Sequence, residues 1–172
     1  DKVKLPVALA EGQAAITGTI ATPLKKKREK GETQYHVSGD LMALRSDVLV
    51  KKRVLESDQL RFQADNTSLV ISGAGALDGV PFDGTWAQPI GPGSEKSDLT
   101  GKIALNQSAL NAFGVSLPEG SVSGRGTGDI AVTFQRGQAP QFALRSNLRG
   151  IKVSVPQVSW SKSAGQDGRL YL

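Results

Sequence analysis

The sequence predicts a mainly β protein with a largely antiparallel sheet and one short helix near residues 106–113. Apolar and polar residues alternate in segments throughout the 172 residues, and a period of two puts each type on its own face of a strand. The 20 glycines are scattered along the chain, some of them within these segments, as in sheets of many short strands and turns. We therefore expect one wet and one apolar face.

The alternating segments extend almost from end to end. They cover residues 14–20, 35–41, 60–64, 99–105, 130–134, 142–144 and 151–155. Strand patterns also occupy the first residues, at Val3, Leu5 and Val7, and the last, at 168–172. Because both termini stop within such patterns, we expect residues 1–172 to be a single β segment of a longer chain, with neighbouring β segments on either side.

One tripeptide of apolar residue, hydroxyl residue and glycine recurs five times. Its copies are 16–18, 37–39, 71–73, 99–101 and 122–124. In a strand, the glycine shares a face with the apolar residue two positions before it. A glycine there allows the sheet to bend around a protein core, or allows another molecule to approach the backbone.

Turn and helix signals separate the strands. Asp78-Gly79 is typical of a two-residue hairpin turn, residues 89–94 and 135–140 have loop composition, and the basic stretch 25–32 indicates a solvated connection. The helix has Asn106 as its cap, then an apolar face of Ala109, Leu110 and Phe113, and Gly114 as its end. So short a helix must dock on the sheet.

Composition excludes most chemistry. Cys is absent and His36 is the single histidine, on the polar side of a strand pattern, so neither a thiolate metal site nor a histidine-based triad is expected. Residues 120–124 have Val at the centre where a nucleophile elbow needs Ser, and the glycines at 124–128 lack a following helix. We predict no catalytic residue, no metal and no cofactor.

The net charge of +5 raises the question of nucleic acid. The basic runs at 25–30 and 51–53 have no flanking aromatic residues, and aromatics make up only 5% of the chain. Stacking platforms are therefore missing, and we predict no nucleic-acid partner. An anionic membrane surface suits the same charge, but no apolar run approaches the roughly 20 residues of a membrane span.

The last fifty residues resemble a known family. Val122-Ser123-Gly124 is followed by Asn147-Leu148-Arg149-Gly150, then by Pro156 and by Trp160-Ser161-Lys162. Residues 77–81 with Trp86 look like a second such unit. This order of strand, short loop with glycine, proline and Trp-x-Lys resembles the periplasmic region of AsmA-like proteins, in particular the YhdP-type branch.

The resemblance implies that the sheet is curved and forms an open, taco-like groove. It also implies a non-catalytic segment of an envelope protein that is anchored in the inner membrane. Such a segment holds or conducts phospholipid acyl chains along an apolar groove between the inner and outer membranes, in the periplasm. Its partners are acyl chains and adjacent β segments of the same full-length chain, and it contacts membrane only through parts of the chain outside this sequence. The alternative is a structural or protein-interaction β-sandwich of the bacterial envelope, in which two apolar faces pack on each other.

The groove candidates are the large apolar residues of the alternating segments. Trp86 and Trp160 are either packed at strand ends or placed at the rim of the groove with a wet N–H. The full set is Ile16, Ile20, Val37, Leu41, Phe62, Ile71, Trp86, Ile103, Ile130, Val132, Phe134, Phe142, Leu144, Val153 and Trp160.

Overall fold

A computed structural model of the protein describes residues 10–24, 32–50, 52–91, 94–112, 114, 117–118 and 120–172. The strand predicted at Val3, Leu5 and Val7, the basic stretch 25–31 and Phe113 of the predicted helix lie outside the described residues.

Within these described residues, nine strands form one curved antiparallel sheet that does not close on itself. Successive strands from β1 to β6 are neighbours, and β8, β9 and β12 complete the sheet in the order β1-β2-β3-β4-β5-β6-β8-β9-β12. The predicted fold class is therefore confirmed. The strands are β1 Glu11–Ala21, β2 Gln34–Ser46, β3 Leu55–Asp65, β4 Ser68–Leu77, β5 Val80–Pro89, β6 Lys96–Leu105, β8 Gly126–Gln135, β9 Gln141–Ser146 and β12 Leu170–Tyr171.

A second sheet of three short strands was not predicted from the sequence. Its order is β11-β10-β7, with β7 at Val122–Gly124, β10 at Ile151–Val155 and β11 at Trp160–Lys162. A 3₁₀ turn at Pro156–Val158 joins β10 to β11. Gly124 ends β7 with a φ of 92°, a left-handed conformation that glycine adopts without strain, and the chain then changes sheet before β8.

Lys162 ties this second sheet to the loop before it. The residue is 5% exposed, and its ammonium group donates to three backbone carbonyls, those of Leu148 at 2.7 Å, Ile151 at 2.8 Å and Ser163 at 2.9 Å. Each of the three N–H groups of the ammonium therefore has an acceptor, and a buried charged group needs such partners.

The predicted hairpin at Asp78-Gly79 joins β4 to β5. Both residues have positive φ, 50° and 76°, as a type I′ turn requires. The Asp78 carboxylate accepts the backbone N–H of Val54 at 2.8 Å and pairs with Arg53 at 2.7 Å. The Val54 hydrogen bond, followed by the Arg53 partner, lowers the pKa of Asp78 below its ordinary value.

The single helix of the described residues, α1, spans Gln107–Ala112. The Asn106 side-chain oxygen accepts the N–H of Ala109 at 2.8 Å, which is the predicted N-terminal cap. The N–H of Gly114 donates to the Asn111 carbonyl at 3.0 Å, and Gly114 has a φ of 75°. The predicted helix and its two boundary residues are thus confirmed.

The core lies where α1 and the second sheet meet the large sheet. Ala109 of α1 and Ile151 of β10 pack against the buried strand residues Val80, Ile103, Leu105 and Leu144. We call these four strand residues the covered margin of the sheet. Burial of apolar surface at this margin is the main hydrophobic contribution to the stability of the fold.

Candidate functional site: the apolar face of the large sheet

One continuous row of apolar residues crosses eight strands of the large sheet. Directly opposed residues of neighbouring antiparallel strands share a face, so the register can be followed from β1 to β9. We call the resulting set the central row. It consists of Ile16, Gly39, Phe62, Ile71, Trp86, Leu99, Val132 and Phe142.

A second row runs beside the central row, two residues along each strand. We call it the glycine row, because its members in β4, β5 and β6 are Gly73, Gly84 and Gly101. Like the central row, it contains no polar side chain. Its full membership is Ala14, Leu41, Leu60, Gly73, Gly84, Gly101, Ile130 and Leu144.

The opposite face of the same strands is polar. The positions between the two rows include Asp40, Arg61, Ser72, Thr85 and Thr100, in register across five strands. Farther along the strands, the Lys102 ammonium lies 2.9 Å from the Asp129 carboxylate, and that hydrogen bond raises the pKa of Lys102. The sheet therefore separates charge on one face from hydrocarbon on the other.

The central row is more exposed than the covered margin. Its outer members are open to solvent, with Ile16 62% and Phe142 53% exposed, and the six between them are half-buried by their own neighbours. The covered margin lies two to six residues along the same strands and is under 9% exposed throughout. Among the described residues, α1 and the second sheet thus cover one side of the apolar face and leave the central row open.

At the three glycines of the glycine row, neighbouring strands approach one another too closely to leave room for a side chain. A Cβ added to Gly84 would lie 2.9 Å from the Thr100 carbonyl oxygen of the next strand, and one added to Gly101 would lie closer still to the Asp83 carbonyl oxygen. Such an approach is tighter than real Cβ contacts, so these backbone positions have no room for a side chain.

The length of the central row suits extended hydrocarbon. Eight strands at the usual spacing of about 4.8 Å give a row of roughly 34 Å. One leaflet of a bilayer has a hydrocarbon depth of about 15 Å, half of the roughly 30 Å core. The row is thus about twice as long as one acyl chain in a leaflet.

Thirteen of the fifteen predicted groove residues lie on this one face, and two lie elsewhere. Val153 is in β10 and packs against the covered margin's cluster, and Trp160 is in β11, paired with Val155 and 51% exposed. The thirteen are Ile16, Ile20, Val37, Leu41, Phe62, Ile71, Trp86, Ile103, Ile130, Val132, Phe134, Phe142 and Leu144.

The predicted set of groove residues omitted Leu60, Phe82 and Leu99, which also lie on the apolar face. Leu60 and Leu99 stand in alternating segments, two residues from glycine or aromatic members of the face, so their period was an available signal. Phe82 follows the Asp78-Gly79 turn, and only the register of the hairpin, with Phe82 opposite Gly75, puts it on this face.

The central and glycine rows offer hydrophobic contact and no reactive group. The central and glycine rows contain no titratable side chain, and the described residues include no group of three or more His, Asp or Glu side chains that could hold a metal ion. No helix among them has the length and hydropathy to cross a membrane. The tryptophan of the row, Trp86, is half-buried between Ile71 and Leu99.

Comparison with known proteins found no matching family model, no matching curated protein and no matching solved structure. The resemblance of residues 121–172 to AsmA-like proteins therefore stays a prediction.

Proposed function

We propose that this protein is a non-catalytic binding module that holds phospholipid acyl chains against the apolar face of its large sheet. The observation that supports the proposal is the central row, which is apolar or glycine in all eight strands and open to solvent at Ile16 and Phe142. Exposed apolar patches of this continuity are rare on proteins that have no binding partner.

The energetics favour a linear hydrocarbon. Moving one methylene group of an acyl chain into water costs about 0.8 kcal/mol, so a chain of about 16 carbons costs on the order of 13 kcal/mol. A trough of side chains and bare glycine backbone removes much of that cost without any polar group. A ligand with many hydrogen-bonding groups would find no partner in the two rows.

The setting of this activity is proposed from the AsmA-like resemblance. A segment of this kind in the periplasm would pass lipid along its apolar face between the two membranes of an envelope. Among the described residues, the three-stranded sheet covers only the margin of the face, which argues against a sandwich in which a second sheet covers the whole of it.

Native mass spectrometry of the bacterially expressed full chain, with and without a charge on the central row, tests the proposal. Ile71 lies between Phe62 and Trp86 in register, and its neighbour Ser72 lies on the opposite face of the same strand. Ile71→Glu places a carboxylate in the apolar row, whereas Ser72→Glu adds the same charge to the polar face. We expect co-purified phospholipid in wild type and in Ser72→Glu. In Ile71→Glu we expect at least about a tenfold loss of bound phospholipid, since each 1.4 kcal/mol of lost binding free energy lowers the affinity by a factor of ten.

Circular dichroism establishes that each variant is folded before its lipid content is compared. Wild-type protein that carries no lipid and takes none up from added phospholipid would refute the proposal. Equal loss in folded Ile71→Glu and folded Ser72→Glu would refute it as well, because binding would then not depend on the apolar face.

A further inference from the structure

Within the described residues, β1 is an edge strand of the large sheet. It pairs with β2 on one side, and the described residues provide no strand on the other. All eleven residues from Glu11 to Ala21 are exposed. An unpaired strand edge presents a row of free backbone N–H and C=O groups that can accept another strand.

The usual protections of an edge strand are weak in β1. Lysine, arginine and proline, which discourage pairing at an edge, do not occur between Glu11 and Ala21. The register shift between Glu11 and Gln13 affects only the start of the strand, so residues 13–21 keep regular geometry.

The regular part of β1 reads the same in both directions. Residues 15–21 are Ala, Ile, Thr, Gly, Thr, Ile and Ala, with Gly18 at the centre. An antiparallel pair of two such strands about a twofold axis at Gly18 puts Ile16 opposite Ile20 of the partner subunit and Thr17 opposite Thr19 of the partner subunit. Each contact occurs twice, as an interface between identical subunits requires.

We propose that β1 pairs antiparallel with β1 of a second copy of this chain, about a twofold axis at Gly18. The pairing joins two nine-stranded sheets into one. Because directly opposed residues share a face, the isoleucines meet on the apolar side and the threonines on the polar side. The two apolar faces therefore become continuous, and this inference stands whether or not the face binds lipid.

The same geometry predicts a weak dimer. A pair of seven-residue strands is small beside the standard interface of about 1,600 Å². Ile16 and Ile20, which are 62% and 73% exposed, gain cover from each other across the axis, and the aligned threonines add cross-strand contacts. We expect a dissociation constant in the range of roughly micromolar to millimolar.

Paired charge variants at Thr17 and Thr19 test both the edge and the register. Thr17→Lys with Thr19→Lys places like charges opposite one another in both symmetric contacts, whereas Thr17→Lys with Thr19→Glu places opposite charges there. Sedimentation velocity on the full chain, from about 10 μM to about 1 mM, should show reversible dimers for wild type and for the Lys/Glu variant. The Lys/Lys variant should stay monomeric, with dimerisation weakened by at least about tenfold.

Disulfide cross-linking checks the same register independently, because the chain has no native cysteine. Opposed residues in an antiparallel pair have Cα atoms about 4.5–5.5 Å apart, within the span of a disulfide. A mixture of Thr17→Cys chains and Thr19→Cys chains should form mixed covalent dimers under mild oxidation, far more than either variant alone.

Wild type that is monomeric throughout the concentration range overturns the proposal. A dimer that the Lys/Lys variant leaves intact also overturns it. Equal disruption by the Lys/Lys and Lys/Glu variants overturns it as well, because pairing about Gly18 predicts that only the Lys/Lys variant loses the dimer. If Thr17→Cys chains alone cross-link as efficiently as the mixture, the twofold axis does not lie at Gly18, and the proposal is overturned.

Discussion

The covered margin and the central row share strands, face and hydrophobic pattern, yet differ in what lies over them. Ile103 and Leu99 both belong to β6 and point to the same face, four residues apart. Ile103 is buried beneath α1 and the second sheet, whereas Leu99 is only half-buried. Alternation thus specifies which face is apolar, and the elements that return over the face decide where it becomes core.

This difference divides stability from binding within one sheet. Burial of the covered margin within the chain stabilises the fold. The central row leaves apolar surface in contact with water, which costs free energy, and a hydrocarbon ligand would remove that cost by covering the row. Substitutions at matched positions of the two regions therefore separate the two roles.

The largest expected effect comes from truncating the covered margin. Ile103→Ala should lower the free energy of unfolding by about 2–4 kcal/mol, since it leaves a cavity under Ala109 and Ile151. Leu99→Ala, on the same strand and face, should lower it by about 1 kcal/mol or less, because its side chain is only half-buried. Urea unfolding of the two variants measures the difference, and equal losses would contradict the division of the face.

A smaller loss is expected where the second sheet is tied to its loop. Lys162→Met removes the donor that the carbonyls of Leu148, Ile151 and Ser163 share, which should destabilise the protein by about 1–3 kcal/mol. Lys152→Met, an exposed lysine on β10, should change stability by less than about 0.5 kcal/mol. Chemical unfolding compares them, and a harmless Lys162→Met would show that the second sheet does not depend on this group.

The smallest effect is expected at the hairpin beside the covered margin. The folded state lowers the pKa of Asp78, so its charge contributes stability above the unfolded pKa of about 3.9 and loses that contribution as the pH falls through the lower folded value. Asp78→Asn keeps a residue suited to the turn and removes the charge. Its stability deficit against wild type should therefore shrink between about pH 5 and pH 2, and a deficit that grows on acidification would contradict this assignment.

Much of the large sheet could be predicted because its information is local. Period-two alternation identified its strands, Asp78-Gly79 marked a hairpin, and Asn106 with Gly114 bounded α1. Thirteen groove candidates share one face. Strands that follow each other in sequence pair in register, so the apolar face of one strand continues as the apolar face of the next.

The second sheet could not be predicted, because its pairing is not local. β7 pairs with β10, although β8 and β9 lie between them in sequence. The chain passes from one sheet to the other at Gly124 and Gly150, whose φ values of 92° and 83° are left-handed. Val153 and Trp160 alternate like groove residues, yet they belong to this sheet. Their sequence pattern contains no sign of which sheet they join.

The most direct test of the central claim, that the open row is where acyl chains bind, uses the two tryptophans as reporters. Trp86 lies in the central row and Trp160 lies on the second sheet, 51% exposed. Phospholipid brominated on its acyl chains quenches nearby tryptophan fluorescence, so protein is loaded with it, repurified and measured as Trp160→Phe and as Trp86→Phe. The account predicts strong quenching in Trp160→Phe, which retains Trp86, and little in Trp86→Phe. Equal quenching of both variants, or quenching confined to Trp86→Phe, would contradict it.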